Sequence, residues 1–148
     1  MGSIVTIMSF ERRKGSDKGF SEPRTVSSLT AVRGELLDYD RTNEILIAAT
    51  VSSTPESLAG VTVKAVASTD TIAQIQEIVT GDEYIVNTTN NTSANHNYHR
   101  MVLTNSVEVN NTGTDDTTDN AVVMQIAPVG AASEKKILCR FVTIQDRA

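Results

Sequence analysis

The chain has 148 residues, a hydrophobic content of 39%, an aromatic content of only 4% with no Trp, and a formal net charge of -5. That length supports one domain able to bury roughly two-thirds of its unfolded surface, so no metal or disulfide is needed to hold a core. The acidic balance argues against a nucleic-acid binder, which needs a basic face to neutralise phosphates, and the aromatic scarcity leaves few stacking platforms for sugars or bases.

Residues 1–29 differ in character from the rest of the chain. They carry five basic and three acidic side chains, a net of +2, whereas residues 30–148 carry eight basic and fifteen acidic ones, a net of -7. Ile4, Ile7, Met8 and Phe10 give the segment an apolar tip. Arg12, Arg13 and Lys14 come next, and then a polar stretch punctuated by Gly15 and Gly19. A purely solvated tail has no use for an apolar tip, so residues 1–29 are expected to form a partly extended N-terminal arm that orders on a partner. No signal peptide is legible, and no apolar run approaches the roughly 20 residues of a membrane helix. Synthesis in a cytoplasm, without a membrane, is the expectation.

A β domain is expected over residues 30–148. Residues 29–37 read as a strand in which Gly34 marks a bulge or a close approach. Residues 38–43 read as a turn. Residues 44–51 are a near-continuous apolar run of strand length. After the Pro55 loop, Leu58-Ala59-Gly60 suggests a single helical turn leading into a strand at 61–67. Residues 71–79 are ambiguous. Ile72, Ile75, Ile78 and Val79 fit helical spacing, but the β-branched load, the brevity and Thr80-Gly81 favour a strand.

The stretch from Gly81 to Asn111 shows the grammar of the whole chain. Short apolar strands around Tyr84 and Val102 are separated and closed by Asn, Thr and Gly, and Asn is expected there for its tolerance of left-handed backbone and its local hydrogen bonds. A long polar loop at 110–120, a strand at 121–127 stopped by Pro128, a turn at 129–133 and a closing strand at 135–144 complete the chain. About eight short strands at turn spacing predict an all-β fold, a single small barrel or sandwich.

Candidate chemistry is thin. His96 and His99 are three apart and on a helix could share a metal; in a turn-rich segment without a third ligand they read as solvated or interface histidines. Asp115, Asp116 and Asp119 lack the glycine offset and closing Glu of a calcium loop and read as a solvated loop. Asn87, Asn90, Asn91 and Asn110 begin glycan-acceptor triplets, read here as turn chemistry. Cys139, the single cysteine, reads as a small buried hydrophobe. No nucleophile elbow, phosphate loop, dinucleotide fingerprint or cysteine pair occurs. No enzyme, catalytic residue, metal or cofactor is expected.

The string Val32-Arg33-Gly34-Glu35-Leu36-Leu37-Asp38-Tyr39-Asp40, then Ile45-Leu46-Ile47-Ala48-Ala49-Thr50 and Leu58-Ala59-Gly60-Val61, resembles the layout of head decoration (cement) proteins of tailed bacteriophages. Gly81-Asp82-Glu83-Tyr84 and the closing stretch from Gly130 to Lys136 add to the resemblance, which spans residues 30–144. It implies a non-enzymatic virion protein on the outer capsid surface. It implies the major capsid protein as partner, self-association as a homotrimer, and an N-terminal arm that adds to the capsid contact. Ile4, Ile7, Phe10, Arg12, Arg13 and Lys14 are the expected contacts. The alternatives are another virion β module, of tail or fibre, and a receptor- or glycan-binding β-sandwich.

Overall fold

The computed structural model describes residues 10–14, 22–143 and 145–147. Within them the fold is all-β: eleven strands and three single 3-10 turns. The strands are β1 (Glu11–Lys14), β2 (Glu22–Thr25), β3 (Leu36–Asp40), β4 (Ile45–Ala48), β5 (Leu58–Thr62), β6 (Ile72–Glu77), β7 (Glu83–Thr88), β8 (Arg100–Asn105), β9 (Glu108–Asn110), β10 (Val123–Pro128) and β11 (Lys136–Phe141).

The all-β class is as expected, and in place of a single barrel or sandwich of about eight strands, ten of the described strands form two rings of five. In the first, the order is β2-β6-β5-β3-β4, all antiparallel, and a parallel bridge from Val26 to Leu46 returns the end of β4 to the chain leaving β2. In the second, the order is β7-β11-β10-β8-β9, again antiparallel, closed by parallel pairing of Asn87 with Glu108 and Thr88 with Val109. Numbering each ring's strands from one to five gives the same circuit twice: first to fifth, fifth to fourth, fourth to second, second to third, then a parallel return to the first. The fold is a topological repeat. Closure suits such short strands because a ring has no exposed edge.

The cores follow from alternation. On β3, Leu36 and Leu37 point to opposite faces, and both are wholly buried. Leu37 joins Val26, Leu46, Ala59, Ala73 and Ile75 inside the first ring. Leu36, with Ala49 and Val61, instead packs on Val86, Leu103, Val109, Val123, Ile137 and Cys139 of the second. One cluster therefore cements the two rings. The Leu36 N–H donates to the Ser106 carbonyl at 3.0 Å, and the Ser106 hydroxyl donates to the Glu35 carboxylate at 2.8 Å.

Several local expectations change. The strand expected at 71–79 is present as β6, where Ala73 and Ile75 face inward and Ile72 outward. The helical turn expected at Leu58-Ala59-Gly60 is instead the start of β5. Gly34 is not in a strand; it sits in a turn at φ +83°, a left-handed position that suits glycine. Residues 38–40 extend β3, so the turn begins at Arg41. None of the non-glycine left-handed positions among the described residues is Asn; they are Ser28, Glu44, Tyr98 and Lys135. The asparagines act through side chains, as when the Asn105 Oδ1 accepts the Val107 N–H at 2.9 Å.

Gly60 is the close approach between strands. A β-carbon built there would lie 2.4 Å from the Gln76 carbonyl oxygen on β6. Gly60→Ala must push β5 from β6, and the expected cost is about 2 kcal/mol. Urea unfolding measures it; a loss under about 0.5 kcal/mol would show that the pairing relaxes freely.

Candidate interaction surface

β1 is the one described strand that belongs to neither ring. It lies antiparallel on β7, with Glu11 opposite Ile85, Arg12 opposite Tyr84 and Lys14 opposite Glu83, and the register shifts between Arg12 and Lys14. β7 thus has β11 along one side, and on the other side β1 beside its first half and β9 beside its second. Arg12, Arg13 and Lys14 make this terminal strand the basic one, and the chain reaches it from residues 1–9.

Phe10 does not join them as a surface contact. It is 3% exposed, and its N–H donates to the Gly34 carbonyl at 2.8 Å. Its ring lies 5.4 Å from that of Phe141 and 6.2 Å, edge-on, from that of Tyr84, which themselves meet at 5.2 Å. Half of the chain's six Phe and Tyr residues converge here. The physical reason is plain: with so few large rings, the crevice between two small barrels takes the nearest Phe. The arm expected over residues 1–29 is therefore not wholly separate from the body, because Phe10, β1 and β2 are built into it. Ile4 and Ile7 lie outside the described residues.

Beside β1 a groove of about 610 Å³ runs between the rings, with Glu11, Arg33, Thr62 and Gln76 in its wall. Its walls offer neither His nor Cys. Elsewhere, burial pushes the titration of Asp38 above the ordinary carboxylate value. It accepts hydrogen bonds from the hydroxyls of Ser53 and Ser57. Those serines are already committed, since the Ser53 hydroxyl accepts the Thr50 N–H at 2.9 Å and the Ser57 hydroxyl the Thr54 N–H at 2.9 Å. The trio pins the loop between β4 and β5.

The acidic loop is likewise spoken for. Asp115 accepts the Arg100 backbone N–H at 2.7 Å and its guanidinium at 2.6 and 3.0 Å. These bonds hold its carboxyl down at about 2. Asp116 accepts the N–H and hydroxyl of Thr118 at 2.8 and 2.6 Å. Among the described residues, no three His, Cys, Asp or Glu side chains gather as a metal site. Cys139 is fully buried, and desolvation pushes its thiol far up.

Two polar residues that carry no sequence motif organise one end of the second ring. Asn111 accepts the Asn90 N–H at 2.8 Å and donates to the carbonyls of Asn90 and Asn91 at 3.0 and 3.1 Å. Gln125 is wholly buried on β10, and its amide donates to the Ser93 carbonyl at 2.8 Å and the Asn97 Oδ1 at 2.9 Å. A signal for Gln125 exists in the sequence: it is the one polar residue within the apolar run 121–127. The described residues define a double-barrel β protein with one strand appended outside its rings. No protein-family model matches this chain, and no curated protein matches it.

Proposed function

We propose that this protein is a virion structural protein that binds the outer surface of a mature phage head and stabilises it. The observation that carries the reading is the position of β1. A strand that lies outside two closed rings, is rich in positive charge and comes after an apolar segment is suited to join a partner's sheet. In that role Ile4 and Ile7 enter the capsid surface, and Arg12, Arg13 and Lys14 meet acidic groups around them. Backbone hydrogen bonds of an added strand hold with little sequence demand. Ordering such a segment costs roughly 1–2 kcal/mol per residue, and contact with the shell offsets it. Self-association as a trimer on the major capsid protein adds avidity, because linked weak contacts reinforce one another without any single strong one. Closed rings and an acidic body keep free copies from pairing through sheet edges.

The test is co-sedimentation with purified heads, expanded and unexpanded. Saturable binding to expanded heads is expected. Burial of an Ile contributes about 1.5–3 kcal/mol, so Ile4→Ser with Ile7→Ser together should weaken binding by about a hundredfold or more while leaving the body folded. Undiminished binding by that pair would remove the arm from the mechanism. Failure of the wild type to bind either head form would sink the decoration reading and move the search to tails and fibres.

A further inference from the structure

We propose that the acidic loop at residues 113–120 of one copy seats in the groove beside β1 of a second copy, so that the protein associates with itself head to tail. The contact deepens the self-association in the decoration reading and rests on it.

The groove sets the chemistry. Its apolar lining is already covered: Phe10, Val61 and Tyr84 are 3%, 6% and 2% exposed. What it presents to a visitor is the polar wall of Glu11, Arg33, Thr62 and Gln76. Glu11 has a partner of its own. Arg33 is exposed and, among the described residues, makes no ion pair or side-chain hydrogen bond. Arg12, Arg13 and Lys14 of β1 add positive charge alongside. A polar, acidic segment suits such a groove, and an apolar one does not.

The chain carries a segment of that kind. Gly113-Thr114-Asp115-Asp116-Thr117-Thr118-Asp119-Asn120 holds three carboxylates and no basic or aliphatic side chain. The loop is fixed in advance. The Asp116 N–H donates to the Arg100 carbonyl at 2.9 Å, the Ala121 N–H to the Thr118 carbonyl at 3.2 Å, and the Asn120 amide to the Ser52 carbonyl at 2.9 Å. A segment already ordered loses little conformational freedom on docking. Thr117, Thr118 and Asp119 are exposed at its tip. Asp115 is bound to Arg100, but Asp116 uses only its Oδ1, on Thr118. Its Oδ2 is the oxygen that meets the Arg33 guanidinium of the second copy.

Loop and groove share no residue, and Arg100 and Ser52, which hold the loop, do not line the groove. One copy therefore presents both patches as separate sites, as a heterologous contact requires. Such contacts close into rings when the rotation between copies allows, which suits a trimer.

The full chain is followed by sedimentation equilibrium over a range of protein and salt concentrations. The wild type should associate at low salt and dissociate toward about 1 M, where charges are screened within about 3 Å. Arg33→Glu should weaken association by about tenfold or more, because it sets like charges against each other. Asp116→Lys should do the same, and the two changes in one chain should restore association by reversing the pair. Lys135→Glu makes the same change of charge outside both patches and should leave association unaltered. Urea unfolding checks that each variant is folded. Association that Arg33→Glu leaves unchanged, a double variant no better than the single ones, or a wild type that stays monomeric overturns the contact. Co-sedimentation with heads is read separately. A monomer that binds heads sinks the contact and leaves the decoration reading standing, and an oligomer that ignores heads does the reverse.

Discussion

Phe10→Ala is expected to cost about 3–5 kcal/mol of folding stability. The ring is buried, touches Tyr84 and Phe141, and sits in the cluster that joins the two barrels through Leu36 and Val61. Its removal leaves a cavity at that junction and also loses edge and stacked contacts worth about 0.5–1.5 kcal/mol per aromatic pair. Urea unfolding should show a lower midpoint with an unchanged slope. Phe10→Leu should recover most of the loss, because it keeps much of the volume. A cost below about 1 kcal/mol would mean that the ring is not part of the core, and would return it to the set of partner contacts. The same physics dictates how the arm is probed. Serine at position 10 would confound lost binding with lost folding, whereas serine at 4 and 7 tests the arm alone.

The sequence made the fold class legible and hid the architecture, for separate reasons. Strand-length apolar runs and turn residues are local, so β4, β6, β8, β10 and β11 are visible in Ile45-Leu46-Ile47, Ala73 with Ile75, Met101 with Leu103, Val123 and Ile137-Leu138-Cys139. Leu58-Ala59-Gly60 misleads because Ala and Leu favour helix, while the reason for Gly60 lies on another strand, at the Gln76 carbonyl. β9 is three residues long, and its Val109 counts only because Val86 and Leu103 surround it. The doubled circuit is invisible for the same reason: it resides in which strands pair, and the strands that correspond share little sequence. Glu22-Pro23-Arg24-Thr25 opens the first ring, and Glu83-Tyr84-Ile85-Val86-Asn87-Thr88 the second. Burial of Phe10 is a long-range fact of this kind. Of the polar end of the second barrel, the spacing of His96 and His99 was readable. Gln125 stands out as a polar residue in an apolar run, but its meeting with the loop from Ser93 to His99 was not readable.

Asp146→Ala should cost about 3 kcal/mol near pH 7, and the penalty should fade in acid. The carboxylate accepts two bonds from the Arg140 guanidinium at 2.6 and 2.8 Å, and one each from the N–H and hydroxyl of Thr143 at 2.7 and 3.0 Å. Both partners of the ion pair are mostly buried, at 26% and 14% side-chain exposure, so removal strands the Arg140 charge. The pairing holds Asp146 well below the ordinary carboxylate value. A depressed folded value means that the unfolded chain binds the proton first. Its stabilisation is thus complete above about pH 5 and is lost as pH falls through the ordinary value of about 3.9 toward the folded one. Asp38 has the opposite sign. Burial raises its value, so the folded state takes up the proton first and stability falls as pH rises from the ordinary value through the raised one. Asp38→Asn, which stays neutral, should therefore gain on the wild type as pH rises across that window, offset by its altered bonds to Ser53 and Ser57. Denaturant unfolding of the three proteins from about pH 2 to about pH 7 separates the two contributions. A penalty for Asp146→Ala that stays constant down to about pH 2 would show that the ion pair contributes nothing and that packing of the C-terminal turn carries the loss.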